Sequence, residues 1–232
     1  MSKLIVLNNK MNMEYDEVYT YIDGLNKIGT DNNIIICPSS IYLEAFVNNC
    51  NWGIGSQNFY YEMDGDYTGE ISTKQLRSLG VEYSLVGHYE RTKYFNETLK
   101  DTKKKLESAI DANIIPILCF GEEKDEGIEE LKKKLDILLK DISHIEFIIF
   151  AYEPVYYISG KEIDDFDELE NRINFIYEYL EEKYKVKPNI IYGGGINEKN
   201  IEKILKFDKL SGMILGSGST DLAVVSNIVG HI

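Results

Sequence analysis

No apolar run in this 232-residue chain approaches the roughly 18–20 residues that a membrane-spanning helix needs. Cysteine is scarce. Cys37, Cys50 and Cys119 cannot all pair, and their spacing fits no metal-ligand pattern, so reduced cysteines packed in a core are expected. Positive charge is also short: 25 Lys and Arg stand against 39 Asp and Glu, a net charge of −14. That balance argues against nucleic acid or an anionic membrane surface as a partner, since both demand basic patches. There is no linker, low-complexity tract or break in composition, so one domain over residues 1–232 is expected. Met1-Ser2-Lys3 runs straight into a strand-like segment without a signal-peptide layout, and a cytoplasmic location is expected from it.

Eight short runs rich in Ile and Val are what the chain does have. They are Leu4–Leu7, Ile34–Cys37, Trp52–Ser56, Tyr83–Val86, Ile115–Cys119, Phe147–Phe150, Asn189–Tyr192 and Met213–Leu215. Each is continuously apolar rather than alternating, as strands covered on both faces should be. Helical stripes separate them. Phe166, Leu169, Ile173, Ile176, Leu180 and Tyr184 step by three or four, and so do Ile128, Leu131, Leu135, Leu138 and Ile142. Ser72 with Gln75 reads as a capping box ahead of Leu76 and Leu79. Eight units over the chain give about 29 residues each, which suits a strand-plus-helix repeat with short loops and a parallel α/β sheet. Pattern alone does not separate a closed barrel from an open doubly wound sheet. The count of eight, and the lack of a glycine-rich dinucleotide fingerprint after the first run, favour a single-domain (β/α)8 barrel.

Chemistry-bearing residues cluster just past the ends of these runs. Glu153 lies between an apolar run and Pro154, where a shielded carboxylate suits a general base; the plain alternative is an exposed loop glutamate. His88 follows Gly87 and precedes Glu90 and Arg91. If it opens a helical turn, the helix dipole favours a neutral ring that donates a hydrogen bond; otherwise it is a half-buried histidine satisfied by backbone. Nothing comparable surrounds His144 or His231. Lys10, beside Asn8, would anchor an anion or stabilise an enediolate, or else is a solvated surface lysine. Gly193-Gly194-Gly195 and Gly216-Ser217-Gly218 follow the seventh and eighth runs, where glycines let backbone N–H groups approach a phosphate; each alone fits a tight turn equally well. The functional reading gains from convergence, because base, electrophile, cation and phosphate nest all fall at one end of the expected barrel.

In order along the chain, these segments resemble the triosephosphate isomerase family. The matching segments are Asn8, Lys10, Met11 and Asn12; Gln57-Asn58 and Gly65–Glu70; Gly87-His88 with Glu90 and Arg91; Pro116–Glu122; and Ala151-Tyr152-Glu153-Pro154-Val155 with Gly160-Lys161. The resemblance implies interconversion of dihydroxyacetone phosphate and glyceraldehyde 3-phosphate, in glycolysis and gluconeogenesis, with no cofactor and no metal. It implies that Glu153 moves a proton between adjacent carbons, that His88 polarises the carbonyl, and that Lys10 and Asn8 stabilise charge on oxygen. Glu90 would orient Lys10. The phosphate would rest on N–H groups of Ser159 and Gly160 in the lid, and of Gly195, Gly216 and Ser217. A homodimer is implied through the Asp64–Glu70 loop, with Thr68 near the partner subunit's Lys10.

Departures from the family pattern are also present. Asn9 stands where tryptophan is common, Tyr89 where serine is common, Gly195 where serine follows the paired glycines, and Ser217 where a second glycine is usual. The lid is one residue shorter, and the stretch from Gly121 to Glu146 is trimmed. None of these removes a proton-transfer group. Two rivals remain: a weakened paralogue kept as a binding module, and a barrel isomerase acting on a different phosphorylated sugar.

Overall fold

The apolar runs become eight parallel strands that close on themselves, each hydrogen-bonded to its sequence neighbours, with the eighth returning to the first. The computed structural model describes residues 2–158 and 161–231. In chain order, β1 is Leu4–Asn8, α1 Tyr15–Leu25, β2 Asn33–Cys37, α2 Leu43–Asn49 and β3 Gly53–Ser56. Next come α3 (Thr73–Leu79), β4 (Tyr83–Val86), α4 (Tyr89–Phe95), α5 (Leu99–Asp111) and β5 (Ile115–Phe120). The remainder is α6 (Ile128–Leu139), β6 (Ile149–Tyr152), α7 (Phe166–Tyr184), β7 (Asn189–Tyr192), α8 (Ile201–Ile204), β8 (Gly212–Leu215) and α9 (Leu222–Gly230). Closure rests on β1, which pairs Ile5 with Ile34 of β2 on one side and with Met213 of β8 on the other.

Two apolar layers explain why the strands do not alternate. Val6, Ile35, Leu85, Ile117, Ile149, Ile191 and Ile214 point inward and fill the barrel. Their neighbours Ile5, Leu7, Ile36, Phe150 and Ile190 point outward against the helices. The stripe of α7 seats Leu169, Ile173, Ile176 and Leu180 on that outer layer, and Tyr184 packs at its margin. The capping box is present: Ser72 Oγ accepts from Gln75 N, and Gln75 Oε1 accepts from Ser72 N at 2.9 Å.

Four strands run one residue past the expected segment, β1 to Asn8, β2 from Asn33, β5 to Phe120 and β8 from Gly212, and three further boundaries differ for a physical reason. The sixth strand is Ile149–Tyr152 rather than Phe147–Phe150: Phe147 ends a 3₁₀ turn with its ring largely exposed, while pairing extends through Phe120 with Tyr152. Tyr152 reads as polar in sequence, but its ring is buried and its hydroxyl finds a partner. Trp52 stays outside β3 and donates its Nε1–H to the Leu25 carbonyl. Helix α6 stops at Leu139, because Lys140 is extended and Asp141 takes a positive φ, so Ile142 packs from the following turn. Among the described residues, no helix is long and apolar enough to cross a membrane.

Candidate active site

The ends of β1, β3, β4 and β6 bring polar side chains to the same mouth of the barrel. Asn8, the last residue of β1, is buried and its Oδ1 accepts from Lys10 N at 3.3 Å. Lys10 itself has φ +52°, in the left-handed region. Gln57, just past β3, donates its Nε2–H to the carbonyls of Lys10 (2.8 Å) and Cys37 (2.9 Å), clamping this loop to β2. The Lys10 ammonium bonds Glu90 Oε1 at 2.5 Å.

His88 is the N-cap of α4. Its Nδ1 accepts the Glu90 N–H at 3.3 Å, which assigns the ring proton to Nε2 and turns that donor toward the cavity. Nε2 lies 3.8 Å from Glu153 Oε1. Glu153 is only 8% exposed, and its Oε2 has no hydrogen-bond partner among the described residues. Its backbone is held from both sides: Glu153 N donates to the Phe120 carbonyl (2.8 Å) and Val155 N to the Glu122 carbonyl (3.0 Å). A buried carboxylate oxygen with no donor aimed at it has a lone pair free for a substrate proton.

The two glycine clusters complete the ring. Asn8, Lys10, His88, Glu153, Ile158, Gly194, Gly195, Gly216 and Ser217 surround one cavity of about 70 Å³. A larger cavity of about 370 Å³ opens on the other side of Glu153, between α4, α5 and α6. Its lining is mostly apolar, and Lys134 there is already bonded to Gly121 O and Glu126. The smaller cavity, with its ammonium and its glycine backbones, is the one suited to an anion. Of the expected site residues, all but two meet here or, as Glu90, directly behind; Ser159 and Gly160 lie outside the described residues.

Gly195 explains one of the departures. Its φ is +60°, and a Cβ added there would come within 2.4 Å of the Lys161 carbonyl. The backbone just after the lid passes so close that serine has no room in this arrangement. Within the expected lid, Val155–Gly160, Tyr157 donates its hydroxyl to Asp164 and accepts from Asp165 N, tying the segment to the start of α7.

A profile of the family described as "Triosephosphate isomerase" matches residues 3–232. The chain belongs to the triosephosphate isomerase family. A triosephosphate isomerase of Ehrlichia chaffeensis is 36% identical, with 99% of this chain and 96% of that protein aligned. One from Francisella tularensis subsp. mediasiatica is 31% identical over 100% of this chain and 97% of its own length. Another, from Clostridium botulinum, is 33% identical over 97% and 98%.

Sequence reading of this family member gave no role to Glu122. Its side chain is fully buried behind the lid, accepting from Tyr152 OH (2.8 Å) and Tyr156 OH (3.3 Å), with Arg172 Nη1 at 3.6 Å. Burial pushes its carboxyl up, the hydrogen bonds from Tyr152 opposing. An unfolded glutamate titrates near 4.5, so above that pH the folded chain holds a proton that the unfolded chain has released. The sign follows: stability falls as pH rises from about 4.5 to the folded group's higher value. Glu122→Gln removes this dependence. Chemical denaturation across pH 4.5–7 should therefore show a shallower decline in the variant; parallel curves would refute the assignment.

A second buried pair was also missed. Lys105 Nζ bonds Glu97 Oε2 and Asn58 Oδ1, each at 2.6 Å, beneath α4. The only sequence signal was a lysine on the inner stripe of a helix.

Proposed function

We propose that this chain interconverts dihydroxyacetone phosphate and D-glyceraldehyde 3-phosphate through an enediolate, as an aldose–ketose isomerase of glycolysis and gluconeogenesis that needs no cofactor. Family membership supports the reaction. The observation that carries the residue roles is the facing pair, Glu153 carboxylate and His88 Nε2–H, across one cavity from the Lys10 ammonium and the glycine backbones. Glu153 Oε2 accepts the proton from one carbon and returns it to the next. His88 donates to the carbonyl oxygen as it gains charge, and Lys10 and Asn8 oppose that charge. Glu90 holds Lys10 in place. Backbone N–H groups of Gly195, Gly216 and Ser217, with the lid, take the phosphate. Closure of the lid excludes water and keeps the enediolate from expelling phosphate.

Residues 1–232 act as one domain, in the cytoplasm, as a homodimer joined through the Asp64–Glu70 loop. Met11, Ile41 and Phe95 are large apolar side chains left well exposed, and Tyr67 in that loop is half exposed, all of which a partner would cover. Light scattering at micromolar concentration should give twice the chain mass; a monomer sinks the dimer.

Purified protein should isomerise glyceraldehyde 3-phosphate in simple buffer. Absence of turnover with phosphate-ester binding retained would transfer the chain to a binding role, and turnover only of a larger phosphorylated sugar would change the substrate.

A further inference from the structure

Strands β1 and β8 are paired up to Leu7 with Leu215, and beyond that pair no strand ladder joins them. One continues as Asn8-Asn9-Lys10, the other as the turn Gly216–Ser219. These are the segments that carry the ammonium and the phosphate nest, so their separation sets the geometry of the anion site.

Side chains bridge the gap. Ser219 is fully buried, and its Oγ donates to the Asn8 carbonyl at 2.9 Å. Asn9 is 1% exposed; its Nδ2 donates to the Ser219 carbonyl at 3.0 Å and lies 3.4 Å from both Ser219 Oγ and Tyr21 OH. Tyr21 OH donates to the same Ser219 carbonyl. That carbonyl also settles which end of the Asn9 amide faces it, since an oxygen there would meet an acceptor. Burial pushes the Tyr21 hydroxyl up, so it remains a donor.

Both ends of the bridge reach the site. Ser219 N donates to the Gly216 carbonyl at 3.2 Å, closing the turn whose Gly216 and Ser217 line the cavity. Asn9 is followed by Lys10, whose left-handed backbone persists only where surrounding bonds over-determine it. The Lys10 Cε is so near Gly216 that a Cβ there would approach it to 3.2 Å. An apolar side chain at position 9 would leave the Ser219 carbonyl with Tyr21 alone, in a place water does not reach.

We propose that Asn9, with Ser219 and Tyr21, is a positioning unit that holds the Lys10 ammonium at its working distance from the Gly216–Ser217 backbone. The inference rests on the reading of those groups as the substrate's anion site.

The test compares Asn9→Ala and Tyr21→Phe with Ser84→Ala, which removes a buried hydroxyl bonded to Ser56 inside the barrel. Three quantities are measured: Kd for inorganic phosphate by calorimetry, KM and kcat for glyceraldehyde 3-phosphate, and Tm. A purely structural role lowers Tm and the active fraction, hence apparent kcat, and leaves KM and the phosphate Kd alone. Positioning weakens phosphate binding and raises KM by about tenfold in both network variants, the scale of one lost buried hydrogen bond. The control should lose Tm without moving either constant. Unchanged KM and phosphate Kd in Tyr21→Phe overturn the proposal, and this variant decides alone if Asn9→Ala does not fold. A wild type that binds phosphate without turning over triose phosphate, with the Kd shift intact in the variants, would sink the isomerase reading and leave the positioning unit standing.

Discussion

Glu153→Gln lowers the rate of glyceraldehyde 3-phosphate isomerisation by about 10³–10⁴-fold and leaves the protein folded. Glutamine matches glutamate in shape, so the packing around this almost fully buried side chain survives. What changes is Oε2, the oxygen with no partner among the described residues, which becomes an amide that cannot accept a proton. His88 Nε2, 3.8 Å from the other oxygen, remains to polarise a carbonyl, and the phosphate nest is untouched. The loss should therefore fall on kcat, with phosphate-ester binding nearly preserved. Because the side chain keeps its volume and shape, Tm should change little. A variant retaining activity within about tenfold of wild type would show that the proton moves through another group.

The second large effect is expected at a residue that touches no substrate. A Cβ at Gly121 would lie 2.1 Å from the Glu153 carbonyl oxygen, 2.6 Å from its carbon and 3.0 Å from Pro154 N. All three are backbone atoms, so no rotamer change relieves the clash. The ends of β5 and β6 must separate. That breaks the bonds from Glu153 N to Phe120 O and from Val155 N to Glu122 O, which hold the proposed base in place. Displacement by about 1 Å costs on the order of 10²-fold in rate, and overpacking costs about 1–3 kcal/mol in stability. Gly121→Ala should lose both together. Gly29→Ala, where an added Cβ meets nothing within 4 Å, is the control and should change neither. Wild-type kinetics in Gly121→Ala would mean that the base does not depend on the β5 end.

How much of this was legible in the chain depends on separation along it. The inner stripe of α7, the capping box of Ser72 and Gln75, and the N-cap position of His88 were readable, because each involves residues within a few positions of one another. Glu153, Lys10 and Gly195 could be ranked only by their place after successive strands and by family resemblance. The Glu122 cluster and the Asn9–Ser219 bridge were not readable. Glu122 meets Arg172 fifty positions away, and Asn9 meets Ser219 across 210. Phe147 misled because an apolar residue beside an apolar run looks like strand until its exposure is known.

By itself, then, the sequence determined periodicity: eight doubly covered strands, the helical faces between them, and the short polar segments at each strand end. Those follow from backbone geometry, which sets which residues share a face within one element. The count of eight already favoured a closed sheet; tertiary structure alone decided that Gly195 is demanded by the Lys161 backbone, and that among the described residues one carboxylate oxygen of Glu153 is left without a donor. Each of these depends on distances between segments far apart in the chain, and no local pattern encodes such a distance. Only when β8 lies against β1 do a lysine and a glycine turn become one site.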